Sequence, residues 1–277
     1  MPNYLDPKND LTFKRVFGQH KHLCISLINS MIPFESPIVS IEYDTGELVP
    51  ELASTLRNTI VDVRCTDSDD RQFIVEMQMY WSESFKQRIL FNASKAYAMQ
   101  LDKGDDFELL RPVYALSFVN ETFEKSPEMA SEYYHHYKIV NIKKTEKQIK
   151  GLEFIFLELP KFKPQGRAEK KLHDLWLRFL TDINEETKEV PQELLDNELT
   201  REAVEYMKRA TYTKEELEAY DKWKIDIMTE RSAINDARKE GRTERDIEIS
   251  KKLKINGMPL EQISEITGLT KEEIEKI

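Results

Sequence analysis

The sequence predicts an α/β domain followed by a helical extension, and three features of its patterning support this fold class. Residues 60–66 and 72–78 carry apolar side chains at alternate positions on either side of a charged, turn-forming loop, which is typical of a β-hairpin. Segments with helical spacing come before and after this hairpin. After Pro160 the strand-like patterns end, and helical spacing continues along the rest of the chain.

The elements of residues 1–160 follow the predicted order αα-β-ββ-α-β-ββ. The first helix is expected over residues 6–18, with Asp10 as its N-cap and Gly18 as its end. The other expected elements are a helix at about 21–32, a strand within 37–48, the hairpin, a helix over 82–101, and strands at 111–119, 134–142 and 152–159.

The remaining third of the chain is expected to be helical. The predicted division is an α/β domain over 1–165, a helical region packed on it over 166–235, and a charged helical tail over 236–277. The tail ends in a helix-turn-helix-like spacing, and its last helix is acidic, which argues against DNA binding by that helix. Self-association into a homo-oligomer, or docking, is expected instead, through a small apolar face formed by Ile263, Ile266, Leu269 and Ile274.

Composition and charge bound the class of protein. Of the 277 residues, 40% are hydrophobic and 33% are charged, which indicates a soluble globular protein. No apolar run of about 18 residues occurs, so no membrane span is expected. Cys24 and Cys65 lie in apolar patterns, as expected for buried thiols in a reducing cytoplasm. The net charge of −10 argues against a protein that coats nucleic acid by bulk electrostatics, although a local basic groove or a bound metal can still attract DNA.

The register of the hairpin places two acids opposite each other. Pairing the apolar positions across the loop gives one continuous apolar face, made of the pairs Val61–Met77, Val63–Val75 and Cys65–Phe73. The same register places Asp62 opposite Glu76, and Ile60 opposite Gln78. Opposed side chains have Cβ atoms about 4.5–5.5 Å apart, a distance at which two carboxylates repel unless a divalent cation lies between them. The alternatives are that both acids face solvent, or that Arg64 or a lysine neutralises them.

The arrangement Asp62…Glu76-Met77-Gln78, followed by a helix, resembles the core of the PD-(D/E)XK nuclease superfamily. Four segments in order further resemble the recombination-promoting nuclease/transposase family of bacteria: DLTFKRVFG, IVDVRCTDSDDRQFIVEMQM, RILFNASKAYAMQLDKGDDFELLRPVYALSFV and ARKEGR. The resemblance implies a restriction-endonuclease-like core, in which a mixed sheet is flanked by helices, with a helical C-terminal extension.

By that resemblance the protein is a DNA endonuclease that uses Mg²⁺ or Mn²⁺. Asp62 and Glu76 are implied as metal ligands, the backbone carbonyl of Met77 is a candidate third ligand, and Gln78 completes the catalytic set. Gln78 occupies the position where the superfamily most often has lysine, and glutamine acts on water only through hydrogen bonds. Two interpretations therefore stay open: a working nuclease, or a weak or inactive nuclease fold that serves as a binding or regulatory module.

Polar residues outside the hairpin are candidates for further roles. Asp10 is interpreted as either a helix cap, which is favoured, or an additional acid at the metal, and Lys14 as a phosphate contact. On the helix after the hairpin, Arg88, Asn92 and Lys95 follow the spacing i, i+4, i+7 and are expected opposite the apolar stripe. There they would face either the DNA backbone or solvent.

Overall fold

The computed structural model describes residues 3–44, 63–164 and 171–277. The chain divides into two compact units, Met1–Trp223 and Lys224–Ile277. Within the described ranges, no helix combines the length and the hydropathy needed to cross a bilayer. The predicted domain boundaries at residues 165 and 235 stay a prediction.

A six-stranded mixed sheet forms the centre of the first unit, as predicted. The strands are β1 Ile41–Tyr43, β2 Val63–Asp67, β3 Gln72–Gln78, β4 Val113–Val119, β5 Tyr134–Asn141 and β6 Lys144–Glu158. They are arranged in the order β1-β2-β3-β4-β6-β5. The neighbours β3, β4 and β6 are parallel, and the other pairs are antiparallel. Strand β6 begins eight residues earlier than its apolar pattern predicts, because it continues as the partner of β5 beyond the rest of the sheet.

The hairpin of β2 and β3 has the register predicted from its apolar face. Val63 pairs with Val75, and Cys65 pairs with Phe73. The Asp67 carboxylate closes the loop by accepting hydrogen bonds from the backbone N–H groups of Asp69 and Arg71. Residues 60–62 lie outside the described residues, so the predicted pairing of Asp62 with Glu76 stays a prediction.

The first helix differs from its prediction at the N-terminus. Helix α1, Asp10–Phe13, continues directly into a π-helical turn, Lys14–Gly18. The N-cap is Asn9, whose side chain accepts from the N–H of Leu11 at 2.9 Å, so the prediction that Asp10 caps the helix is wrong. Asp10 lies one residue inside the helix, where its carboxylate pairs with the Lys14 ammonium at 2.7 Å.

Helices cover both faces of the sheet in the first unit. The helices are α2 Lys21–Met31, α3 Glu83–Ala98, α4 Lys171–Asp182, α5 Gln192–Asp196, α6 Glu198–Met207 and α7 Lys214–Ile255, of which α7 continues into the second unit. On one face, the aromatic side chains of Phe13, Phe17, Trp176 and Phe179 form a fully buried cluster. On the other face, α3 packs its predicted apolar stripe, Phe85, Ile89, Ala93 and Ala96, against β3, β4 and β6.

The N-terminal segment is bound to the end of the same unit. The N–H of Leu5 donates to the carbonyl of Met207 at 2.8 Å, and the N–H of Asp6 donates to the hydroxyl of Tyr220 at 3.0 Å. The side chain of Leu5 is fully buried in a cluster with Tyr212 and Tyr220. Residues separated by more than two hundred positions thus form one contact region.

The second unit ends in the helices α8 Leu260–Thr267 and α9 Lys271–Glu275. The helix-turn-helix-like spacing predicted for the tail is present: Gly257 and Gly268 have positive φ and end the helices before them, and Thr270 forms a capping box at the start of α9. Ile263 and Ile274 are fully buried, whereas Ile266 is 60% exposed. The predicted four-residue apolar face is therefore incomplete, because Ile263 and Thr267 form the buried side of α8 and leave Ile266 on its flank.

Candidate active site

Glu76 lies on β3 with its carboxylate on the sheet face covered by α3, where it is only 5% exposed. Its neighbour in register on β4 is Ser117, the one serine in the otherwise mostly apolar strand VYALSFV. Asn92 approaches the same carboxyl group from α3. A carboxylate, an amide and a hydroxyl from three elements therefore meet beneath the helix.

Burial changes the acidity of this carboxyl group. Desolvation raises the pKa of Glu76 from its ordinary value of 4.5 to about 7, against the smaller lowering effects of the Arg88 charge and the Asn92 amide. One oxygen of this buried carboxyl group, Oε1, has no hydrogen-bond partner among the described residues. Near neutral pH the group therefore exchanges a proton easily, which is a property of functional carboxylates.

The polar atoms around Glu76 lack the partners that buried groups normally have. Asn92 is 1% exposed; its amide lies beside the Glu76 carboxyl group, but neither its Nδ2 nor its Oδ1 forms a hydrogen bond of regular geometry in the described part of the chain. The same holds for the hydroxyl of Ser117. Each unpaired buried polar group costs about 1–3 kcal/mol, so a protein retains such a set where a polar ligand satisfies it. Carboxylate, amide and hydroxyl oxygens are the donors that Mg²⁺ and its bound waters prefer.

Gln78, two residues along β3, is held at both ends of its amide. Its Oε1 accepts a hydrogen bond from Arg88 Nη2 at 2.6 Å, and its Nε2 donates to the carbonyl of Tyr80 at 2.7 Å. The Arg88 guanidinium also stacks over the ring of Phe85 at 5.0 Å. A fixed positive charge therefore lies next to the position where the superfamily resemblance leads one to expect lysine.

The structure brings some of the predicted site residues together and corrects one of them. Glu76, Gln78 and Arg88 lie at one place on β3 and the start of α3. Asn92 is buried among the apolar residues of α3, so the prediction that it lies opposite the apolar stripe is wrong. The reason is its spacing, which is three residues after Ile89 and four before Ala96.

The other predicted site residues stay predictions. Asp62 lies outside the described residues, and no group of three His, Cys, Asp or Glu side chains with metal-binding geometry occurs within the described ranges. Lys95 is half-buried on α3, and the proposed role of the Met77 carbonyl rests on the resemblance alone. Asp10 and Lys14 pair with each other, as described above. Ser117 was not among the predicted site residues, although a small polar residue between leucine and phenylalanine in a buried strand is a visible signal in the sequence.

A second polar cluster lies at the carboxyl end of β6, around the fully buried Glu158. Its Oε1 accepts from the N–H groups of Phe123 at 2.6 Å and Glu124 at 3.0 Å. Its Oε2 accepts from His135 Nε2 at 2.9 Å and from the ammonium of Lys161 at 2.6 Å. Burial alone would raise the pKa of Glu158, but the hydrogen bonds from Lys161 and His135 outweigh it and lower that pKa.

This second cluster fixes the loop that follows β4. Phe123, held by Glu158, stacks on Trp81 with ring centroids 4.1 Å apart. The N–H of Trp81 donates to the Glu121 carboxylate at 2.7 Å. Because Trp81 connects β3 to α3, the cluster supports the segment that carries Gln78 and Arg88. All four hydrogen-bond donors are satisfied, so its role is structural.

Comparison with known families identifies the chain. A family model described as PD-(D/E)XK nuclease family transposase matches residues 7–237, which include all six strands and helix α3. Comparisons with curated proteins and with solved structures returned no match. The family match and the mixed sheet with flanking helices confirm the family and fold class predicted from the sequence. The chain belongs to the PD-(D/E)XK nuclease family transposases.

Proposed function

We propose that the protein is a metal-dependent DNA endonuclease that hydrolyses phosphodiester bonds with Asp62, Glu76 and Gln78. The family supports a nuclease-type function in general, with DNA as the substrate. The observation that carries the finer proposal is the buried Glu76 carboxylate, which has an unpaired oxygen beside the Gln78–Arg88 hydrogen bond. A site for structure alone would pair this oxygen, whereas a site for a cation leaves it available.

The residues fit a divalent cation. Glu76 and Asp62 would hold Mg²⁺ or Mn²⁺, with the carbonyl of Met77 as a third ligand and with Asn92 and Ser117 near Glu76. The bound metal would lower the pKa of a water molecule and neutralise charge on the phosphate. Because the pKa of Glu76 is about 7, metal binding below that pH displaces a proton from the carboxyl group.

In this proposal Gln78 and Arg88 together take the two roles of the superfamily lysine: Gln78 orients the attacking water, and Arg88 supplies the positive charge. The Gln78 amide has two N–H bonds, of which one is donated to Tyr80, so the other is available to orient the attacking water. Arg88 supplies the positive charge and has further N–H groups for a phosphate oxygen. The pair is positioned before substrate binds, since Arg88 already contacts Gln78 and the Phe85 ring.

Cleavage of plasmid DNA tests the proposal. Purified protein with Mg²⁺ should nick or linearise the plasmid, and EDTA should stop the reaction. Asp62→Ala should abolish cleavage while the circular dichroism spectrum stays unchanged, because the variant removes only one ligand. Equal cleavage by wild-type and variant protein would assign the activity to another site or to a contaminant.

The second candidate function is a binding or regulatory module with an inactive nuclease fold. Gln78 in place of lysine favours it, since an uncharged amide by itself cannot supply the positive charge of a lysine ammonium. Calorimetric titration separates the two functions. Absence of Mg²⁺ or Mn²⁺ binding at millimolar concentration would favour the inactive module, and metal binding that depends on Glu76 would favour the nuclease.

Arg88→Met is expected to lower kcat by about 10- to 100-fold, with a smaller effect on KM, because Arg88 provides charge at the reacting phosphate. Adding Gln78→Lys to this variant should restore part of kcat, since the lysine returns the charge to the site. The matched control is Lys103→Met, which removes an exposed charge outside the site and should leave kcat unchanged. A kcat equal to that of the wild type in Arg88→Met would reject the role of Arg88.

Two further expectations stay proposals. We propose that the protein self-associates through residues 236–277. Light scattering of the full-length protein would test this by measuring whether its mass exceeds that of one chain. We also propose a cytoplasmic location, for which the thiols Cys24 and Cys65, both buried and free, are the supporting feature.

A further inference from the structure

Strands β5 and β6 extend past the rest of the sheet as a two-stranded ribbon. Strand β4 pairs with β6 only from Leu152 onward, whereas β5 continues to pair with β6 as far as Asn141 and Lys144. We call residues 139–150 the β5–β6 ribbon, in which every residue from 141 to 150 is exposed. Two register shifts bend it, and its base is fixed where Gly151 packs against the ring of Tyr97 on α3.

The ribbon is basic in an acidic protein. Residues 141–150 contain the four lysines Lys143, Lys144, Lys147 and Lys150 and the single acid Glu146, giving a local net charge of +3 in a chain of net charge −10. None of these lysines forms an ion pair with a carboxylate in the described ranges. Elsewhere in the first unit several basic side chains pair with acids, as in Lys14–Asp10, Arg71–Asp67 and Arg178–Asp182.

Large apolar side chains alternate with these lysines. Ile142 at the tip is 90% exposed and Ile149 is 71% exposed, and Ile139, the pairing partner of Ile149, is also exposed. Lysines alone would protect an edge strand from pairing with other strands. Exposed isoleucines work against such protection, so the combination indicates a surface that binds a partner with both charge and apolar groups.

We propose that the β5–β6 ribbon binds duplex DNA, with its lysines at the phosphates and its isoleucines at base edges in a groove. This inference rests on the proposed function, which supplies DNA as the partner. It adds the surface of the protein that binds the DNA. A two-stranded antiparallel ribbon fits the major groove of B-DNA, where isoleucine can contact thymine methyl groups. The unpaired lysines match the charge of the phosphate backbone.

The sheet register gives the distance between the ribbon and the candidate site. Glu76 lies level with Ser117 on β4 and Phe156 on β6. Lys147 precedes Phe156 by nine residues, which at about 3.3 Å per residue is at most roughly 30 Å. One turn of duplex is about 34 Å long, so a single duplex can reach both places. The ribbon therefore contacts DNA about one helical turn from the proposed point of cleavage.

Fluorescence anisotropy with a labelled 30-base-pair duplex in EDTA tests the proposal without cleavage. The variant with Lys143, Lys144, Lys147 and Lys150 all changed to Gln should bind at least 10-fold more weakly at about 100 mM salt. The slope of log affinity against log salt should become shallower by about 3.6, since each of the four lost phosphate contacts removes about 0.9. The matched control changes four exposed lysines elsewhere, Lys103, Lys125, Lys188 and Lys251, to Gln and should shift affinity less than 2-fold.

A second variant tests the apolar contacts. Ile142→Ser with Ile149→Ser should weaken duplex binding several-fold and leave the salt slope unchanged, because no charge is removed. Light scattering of both ribbon variants should give the wild-type mass. Wild-type affinity in the four-lysine variant, or a change in mass without a change in affinity, would overturn the proposal, and the latter would identify the ribbon as an interface between copies of the chain.

The outcomes also separate this inference from the proposed nuclease function. If the wild type binds duplex through the ribbon lysines but never cleaves DNA with metal present, the ribbon is supported and the nuclease proposal fails. If the wild type cleaves and the four-lysine variant binds and cleaves equally well, the nuclease proposal is supported and the ribbon inference fails.

Discussion

The Glu76→Gln variant is expected to be more stable than the wild-type protein at pH 8 when divalent metal is absent. The pKa of Glu76 is about 7 in the folded protein, against 4.5 for an unperturbed carboxyl group. Between these values the folded state holds the proton more tightly than the unfolded state, so stability falls as pH rises through this range. Above pH 7 the buried charge costs about 3 kcal/mol, and the neutral amide removes most of that cost.

Urea unfolding in EDTA at pH 4.5, 6 and 8 measures this effect. The variant should gain roughly 2–3 kcal/mol at pH 8 and almost nothing at pH 4.5, where the carboxyl group is protonated in the folded state and about half protonated in the unfolded state. The exposed Glu108→Gln serves as the control and should change stability by less than about 0.5 kcal/mol at each pH. Equal stability of Glu76→Gln and wild type at pH 8 would contradict the burial argument.

Adding Mg²⁺ should reverse the order of stability. Metal that binds the folded wild type stabilises it by mass action, whereas Glu76→Gln lacks the charged ligand and should show little response. The same variant should lose DNA cleavage. A gain in stability together with a loss of activity is expected when a residue is needed for function but destabilises the folded protein.

Glu158→Gln is expected to destabilise the protein by about 3–5 kcal/mol at pH 7, since breaking a buried ion pair leaves its partners uncompensated. Four donors converge on the Glu158 carboxylate, from Phe123, Glu124, His135 and Lys161. A glutamine presents one oxygen to them and turns an NH₂ group towards the remaining donors. The buried Lys161 ammonium then lacks a negative partner.

The pH dependence of the difference provides a second test. Because the folded-state pKa of Glu158 is lowered, its stabilising effect is present above the unfolded value of 4.5 and is lost as pH falls through the lower folded value. The loss caused by Glu158→Gln should therefore be largest near neutral pH and shrink in acid. The control is Glu202→Gln, which removes a more exposed Glu–His pair with His22 and should cost less than about 1 kcal/mol. Comparable losses in the two variants would show that the cluster is not a structural support.

The register of the described part of the hairpin could be predicted to the residue, because it depends only on the residues of the two strands. Side chains alternate with period two, so only one register places Val63 opposite Val75 and Cys65 opposite Phe73 with the apolar residues together. The N-cap could not be fixed as closely, since Asn9 and Asp10 are consecutive residues with equal capping ability. The N-cap is whichever of the two residues has extended backbone angles, and tertiary contacts determine which residue that is.

The surroundings of Glu76 were less predictable because they depend on how α3 is rotated against the sheet. The spacing of Asn92 from Ile89 and Ala96 places it within the buried arc, but its polarity favoured the exposed side. The Arg88–Gln78 hydrogen bond joins a helix to a strand end, and no periodicity within either element reports it. Such contacts depend on how the helix packs on the sheet. The sequence therefore identifies the candidate residues but does not predict which of them are in contact.

The pairing of the N-terminal segment with residues near 207–220 has a consequence for biosynthesis. Leu5 and Asp6 leave the ribosome before Met207 and Tyr220, which bind them and are made about 200 residues later. At about 5–20 residues per second, that interval lasts roughly 10–40 s. Throughout it, the N–H of Leu5 lacks its native acceptor and the Leu5 side chain lacks the rings of Tyr212 and Tyr220, so the segment is available to chaperones. A nascent chain that stalls before Tyr220 therefore lacks the contacts that hold the N-terminal segment in the first unit.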